Sequence, residues 1–286
     1  MKIVKIHAGL GNQIFQYALF LGLKKYGHKV KVDYSEFELY NIHHGYELQR
    51  AFNINLPHIT SFEKKLYAPR RPRFIYRVLR KCFNTDACYM IEQPEFCFSE
   101  EVLLSPKTKY LNGYWQHHRY VDLVEEELRQ NLKFPKINDP QNEKLLKKIQ
   151  HHNSVASIHV RRGDYLNHPT LGGLCDLNYY RKAIDYIKFI IPNPLFVFFS
   201  NDIAWCRQNF NSEEALYVDW NRGEDSFRDM QLMSLCHHHI IANSSFSWWA
   251  AWLNSRPDKI VIAPKKWINL PEADPKALLL DHFILL

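Results

Sequence analysis

Hydrophobic and polar positions divide this chain into two stretches of unequal clarity. From residue 155 onward, short apolar runs alternate with amphipathic segments. The runs at 155–158, 195–199, 215–218, 239–242 and 259–263 predict strands, and the segments at 178–190, 203–210, 227–235 and 247–253 predict helices. Strict alternation of this kind predicts a mostly parallel sheet covered on both faces. At the other end, alternation over 2–7, a long apolar segment over 12–26 and renewed alternation over 29–33 predict a βαβ unit. Between 34 and 112 the pattern is irregular, apart from a strand at 109–113 that Tyr114, Trp115 and Gln116 continue or follow as a loop. A charged helix is predicted over 121–132, a linker over 135–142 with its two prolines, and a helix over 144–150 that leads into the second half.

The expected fold class is therefore α/β, with two domains, 1–150 and 151–286, whose loops face one another across a cleft. Composition changes this little, since 46% hydrophobic and 23% charged residues are ordinary for a folded chain of 286 residues. A formal charge of +7 points to an anionic partner or surface. The six cysteines form no CxxC pair and no regular framework, which favours a reduced, cytoplasmic setting. No apolar run is long enough for a signal peptide or a membrane span, so the mature protein is expected to begin where this sequence begins.

Candidate chemistry concentrates at predicted strand ends. The strand at 155–158 delivers His159, Arg161, Arg162 and Asp164 into the next loop, where Gly163 permits a sharp turn. Two arginines there suit a phosphate or carboxylate, and the ordinary alternative is an Arg–Asp surface pair. Asn201 and Asp202 follow the next strand. Asn243, Ser244, Ser245 and Ser247 precede a helix, where hydroxyl and amide groups join free backbone N–H groups as an anion site; Ser247 as a plain cap is the alternative. Trp248, Trp249 and Trp252 read as core. The turn His7-Ala8-Gly9-Leu10-Gly11-Asn12-Gln13 lacks the third glycine of a dinucleotide fingerprint, Ile14 standing in its place. Asn12 and Gln13 present amides to a hydroxylated ligand, or Asn12 caps the helix. His237, His238 and His239 lack an acidic or cysteine partner at ligand spacing, so no metal is expected there. His43, His44 and Tyr46 are weaker candidates for a place beside a ligand. Arg70, Arg71, Arg73, Arg77, Arg80 and Lys81 surround apolar residues and form a candidate surface for peripheral contact with an acidic membrane face.

Four of these segments, GLGNQ at 9–13, HVRRGDY at 159–165, SND at 200–202 and NSSFSWW at 243–249, occur in the order and near the spacing of the α-1,2-fucosyltransferases, and the sequence resembles that family over nearly its whole length. The resemblance implies a GT-B-like architecture of two Rossmann-type domains, the first acceptor-side and the second donor-binding. It implies GDP-fucose as donor, a terminal β-galactoside glycan as acceptor, inversion at the anomeric carbon and no metal or other cofactor; nucleic acid is not an expected partner. By the same likeness Arg162 meets the donor pyrophosphate with the 243–249 segment beside it. Asp202 and His159 lie near the guanosine, and Gly11, Asn12 and Gln13 face fucose and acceptor. A base for the acceptor hydroxyl, Asp164 or His7, and proton uptake by the leaving phosphate remain equal alternatives.

Overall fold

The computed structural model describes residues 1–39, 44–68, 74–83, 85 and 88–286, with the side chains of 38 and 39 excepted. His43, Arg70, Arg71 and Arg73 lie outside the described residues. The chain forms two compact units, 1–133 with 272–277, and 134–271 with 278–286. Each is α/β with a parallel sheet, in keeping with two Rossmann-like domains.

The first unit contains β1 (Lys2–Lys5), α1 (Leu10–Lys25), β2 (Val30–Asp33), α2 (Ser35–Leu39), α3 (Glu47–Phe52), α4 (Ser61–Tyr67), α5 (Phe74–Cys82), β3 (Tyr89–Ile91), α6 (Glu100–Leu104), β4 (Lys109–Asn112), α7 (His118–Asp122) and α8 (Glu125–Asn131). Its four strands lie in the order β2-β1-β4-β3, all parallel. α1 buries thirteen of its sixteen residues, which explains its nearly unbroken apolar run. It ends at Gly27, whose φ of +79° suits the left-handed position after a helix.

The region that reads as irregular holds α2 to α6 and β3. These elements are too short for an apolar period to emerge, although α4 carries a readable capping box between Thr60 and Glu63. The helix expected over 121–132 is two, α7 and α8, because Val124 leaves helical backbone (φ −134°, ψ 23°) while still burying its side chain.

The second unit contains α9 (Pro140–His151), β5 (Val155–Val160), α10 (Leu177–Ile190), β6 (Leu195–Ser200), α11 (Ile203–Asn209), β7 (Ala215–Val218), α12 (Phe227–Ser234), β8 (His238–Ile240), α13 (Ser245–Leu253), β9 (Val261–Ala263) and β10 (Ile284–Leu285). The strand order is β10-β9-β8-β5-β6-β7, again parallel. Central β5 is buried at all six positions, as a strand covered on both faces must be. α10 lays Tyr179, Ala183 and Ile187, one helical stripe, into the core with Ile158, Phe196 and Ile240.

The division falls near 133, earlier than the expected boundary at 150. Arg228 and Gln231 of α12 both donate to the Pro135 carbonyl, and Phe134 stacks on Phe227, so the chain joins the second unit before α9 begins. Among the described residues no helix is long and apolar enough to cross a membrane.

Candidate functional site

Each sheet has one place where the strand order reverses, and crevices for ligands open at the carboxyl ends of the strands there. In the second unit the reversal lies between β5 and β8, because the chain continues from β5 outward through β6 and β7 and later from β8 outward through β9 and β10. The loops after β5 and β8 carry RRGDY and NSSFS.

Arg162 is held in place there. Its backbone N–H donates to Asn201 Oδ1 (2.9 Å), Asn201 Nδ2 donates back to the Arg162 carbonyl (3.1 Å), and its Nε donates to Asp202 Oδ2 (3.0 Å). Asp202 is itself fixed, its Oδ1 accepting the Trp205 N–H at the start of α11 (3.2 Å). The guanidinium carbon lies 4.1 Å from the centre of the Trp205 ring, a cation–π contact. With Nε occupied, the two terminal nitrogens make no bond among the described residues, and their paired N–H groups form a fork suited to a phosphate. Gly163 is required beside it, since its φ is +61° and a Cβ would lie 2.8 Å from Asn201 Nδ2.

Arg161 pairs with Asp164 (2.8 Å) and lies over the Tyr165 ring, while its Nε is buried without a partner. The Arg–Asp pair within the loop thus exists, but it involves the first arginine, while the second pairs through Nε with Asp202 and keeps its terminal nitrogens unpaired among the described residues. His159 is buried with Nδ1 unpartnered; burial, aided by the Arg161 charge, pushes its pKa down to about 3, so the imidazole is neutral. Across the crevice its ring lies 5.7 Å from that of Phe246. Burial raises the Tyr165 phenol, against which Arg161 and a hydrogen bond with Ser244 act. α13 begins at Ser245 with no side-chain cap and no acidic residue in its first turn, which leaves its N-terminal dipole available to an anion.

Two expected ligand groups in this loop are structural. Asn243 donates to the carbonyls of Leu171 (3.0 Å) and Trp267 (3.2 Å) and accepts from Cys175 Sγ, so its side chain is consumed within the fold. The Ser247 hydroxyl is buried and turned onto the carbonyls of Ala242 and Ser244. Trp248 and Trp249 are core, as read. His237, His238 and His239 do not converge: His237 and His238 each accept a backbone N–H, and His239 lies between Ser157 and Asn254. Among the described residues no three His, Cys, Asp or Glu side chains form a ligand set for a metal.

In the first unit the reversal lies between β1 and β4, and its crevice is cross-linked. His7 Nε2 is 3.2 Å from the Gly113 carbonyl, Gln16 donates to the same oxygen (3.1 Å), and Gln116 donates to Asn12 Oδ1 (2.6 Å). Asn12 is not the cap of α1; Gly9 is, and Asn12 sits half-buried in the first turn. Gln13 does not present its amide to a ligand. It is fully buried, its nitrogen donating to the carbonyls of Ala8 and Gly45 (both 2.9 Å) and its oxygen accepting from Glu47 N (2.9 Å). Gly11 is likewise buried within the helix.

Sequence reasoning missed Glu92. Its Oε2 accepts the N–H groups of Tyr114 (2.7 Å) and Trp115 (2.8 Å), Oε1 is buried without a hydrogen-bond partner, and a Cβ at Gly113 would collide with it. Burial pushes its pKa up to about 7 despite those donors. It also braces a strained turn, since Trp115 adopts φ +56°, a conformation costly for a bulky residue. Trp205 was missed as well; its three-residue spacing from Asp202, the spacing of a helix cap, was the available signal.

Comparison with known proteins shows the family and the fold. The model of the family described as glycosyl transferase family 11 matches residues 1–280. The chain is 33% identical over 285 residues to an alpha-1,2-colitosyltransferase of Escherichia coli, covering 94% of this chain and 93% of that protein. It is 34% identical over 285 residues to the O-antigen biosynthesis glycosyltransferase WbnK of Escherichia coli, covering 92% and 93%. Among solved structures, the fucosyltransferase NodZ from Bradyrhizobium superposes with a TM-score of 0.55 at 14% identity, over 88% of this chain and 91% of that one.

Proposed function

We propose that this chain, which belongs to glycosyl transferase family 11, is an α-1,2-fucosyltransferase that moves L-fucose from GDP-β-L-fucose to O-2 of a terminal β-galactoside in glycan or polysaccharide synthesis. The observation that carries the reading is Arg162, a cation fixed by Asn201, Asp202 and Trp205 with its terminal N–H groups unoccupied at the carboxyl end of β5.

In this reaction the bond from fucose C1 to the β-phosphate oxygen breaks, and its electron pair leaves with GDP. The acceptor O-2 forms the new bond to C1 from the opposite face, which inverts the β-linkage to α. Negative charge grows on the departing phosphate, and preorganised donors aimed at that position lower the barrier. Arg162 and the uncapped start of α13 supply such donors without a metal. The acceptor proton goes to a protein base, for which Asp164 and His7 are the candidates by position, or to the leaving phosphate. His159 contributes a neutral ring beside the donor rather than a charge.

A second reading has one observation in its favour, the likeness to a protein named a colitosyltransferase. Colitose is the 3-deoxy counterpart of fucose, so the two readings share the linkage and differ in one donor hydroxyl. A site built to bond that hydroxyl rejects the deoxy sugar strongly. Release of GDP from GDP-fucose and from GDP-colitose, each with and without lactose, tests both, with the product linkage read by NMR. Lactose-dependent release from GDP-fucose with an α-1,2 product supports the proposal. Turnover confined to GDP-colitose replaces the donor, and donor binding without turnover on any β-galactoside refutes both readings.

A further inference from the structure

α5 turns its apolar side to solvent. At roughly 100° per residue, Phe74, Ile75, Val78 and Cys82 fall in one arc with Arg77 and Lys81 on its flank, while Tyr76 and Arg80 fall on the opposite side. That opposite side is the one packed on α4. The Phe62 and Tyr76 rings are 6.2 Å apart, Lys65 Nζ lies 5.6 Å over Tyr76, and Arg80 donates to the carbonyls of Lys65 (2.9 Å) and Ala68. The helix consequently buries none of its residues, and Phe74 is 72% and Ile75 62% exposed, with Phe83 exposed just beyond. An amphipathic helix folded onto its own domain would be turned the other way.

Charge identifies what covers this face. From Lys64 to Thr85 the sequence has eight lysines and arginines and no aspartate or glutamate. An apolar protein groove would bury Phe74 and Ile75 but leave the cations unmatched. A nucleic acid would match the cations but leave the apolar arc wet. A lipid surface with anionic headgroups meets both in one plane. We propose that α5 lies flat on a bilayer containing anionic phospholipid, with Phe74, Ile75, Val78 and Phe83 at the acyl boundary and Arg77 and Lys81 reaching to the phosphates.

The test is flotation of the full chain with vesicles of equal parts phosphatidylcholine and phosphatidylglycerol, and with vesicles of phosphatidylcholine alone, in about 0.1 M salt. The expected result is partition onto the mixed vesicles only, declining as salt rises. The variants Phe74→Ser/Ile75→Ser/Val78→Ser and Arg77→Gln/Lys81→Gln each lower that partition by roughly tenfold or more. Both keep the unfolding temperature of the parent, because the substituted side chains are exposed or partly so and pack on nothing in the core. Absence of binding to the mixed vesicles, equal binding to both vesicle types, or full binding by both variants overturns the proposal.

Discussion

The crevices at β1/β4 and β5/β8 occupy the same topological place in two parallel sheets, yet their polar groups are spent differently. At β1/β4 the amides are satisfied within the fold, with Oε1 of Glu92 the buried exception: Gln13 bonds three backbone groups, His7 and Gln16 meet on the Gly113 carbonyl, and Gln116 holds Asn12. At β5/β8 the terminal N–H groups of Arg162, the Nε of Arg161 and the Nδ1 of His159 have nothing to bond among the described residues, and α13 begins without a side-chain cap. Buried polar atoms are rarely left so without a reason. The proposed function would supply that reason at β5/β8 with an anionic donor, whereas at β1/β4 the amides of Gln13, Gln16 and Gln116 are already spent within the fold.

The largest effect expected from this contrast is at Arg162. Arg162→Ala removes the fork while Asn201 still holds the backbone at 162 and Asp202 still caps α11, and turnover at saturating donor should fall by about 10²–10³, the scale for losing one preorganised anion-stabilising donor. Steady-state kinetics of the folded variant checks this. Near-normal kcat would place the leaving phosphate elsewhere and dissolve the contrast.

Next in size is a matched pair in the first crevice. Gln13→Ala should cost about 2–4 kcal/mol of stability, since it opens a buried space and strands three backbone groups, and the folded fraction should keep its kcat. Asn12→Ala, at a half-buried position, should cost about 1 kcal/mol in stability yet raise the acceptor KM by roughly tenfold. Denaturant melts and acceptor titrations on both variants separate a strut from a contact. If Gln13→Ala changes acceptor KM without loss of stability, the crevice is less self-contained than its hydrogen bonds indicate.

What the sequence made legible follows the same division. The second sheet was readable because its strands are buried on both faces and its helices are long enough to show a stripe, as with β5 and α10. RRGDY stood out as a candidate anion loop, and SND as a second strand-end loop, because charged residues closely follow an apolar run in each. The difference between Arg161 and Arg162 came only through the family resemblance, since the residues alone do not say which one reaches Asp202. In the first unit, Gln13 looked like a ligand group because an amide near glycines carries no mark of burial. Glu92 was invisible for a related reason: it follows a three-residue strand, and its proximity to Gly113 is created by the pairing of β3 with β4. Asn243 shows the limit within the clear half, where a good anion-loop residue is spent on Leu171 and Trp267.

The smallest effect sharpens the comparison through a proton. Glu92 has a folded-state pKa of about 7, above the ordinary carboxylate value, so between that value and 7 the folded chain holds a proton that the unfolded chain releases. Its contribution to stability is full below the unfolded pKa and is lost as pH rises through 7. In Glu92→Gln the amide oxygen still accepts from Tyr114 and Trp115, but nothing titrates at that position. Stability of the variant should therefore fall less than that of the parent between pH 5 and 8, by roughly 1–3 kcal/mol, measured by denaturant melts across the range. The slope should be reduced rather than abolished, because Asp229 in the second unit, also pushed up to about 7 by burial, titrates with the same sign in both proteins. Identical slopes would mean that the Glu92 carboxyl is solvated and that the Gly113–Trp115 turn is braced by the backbone alone.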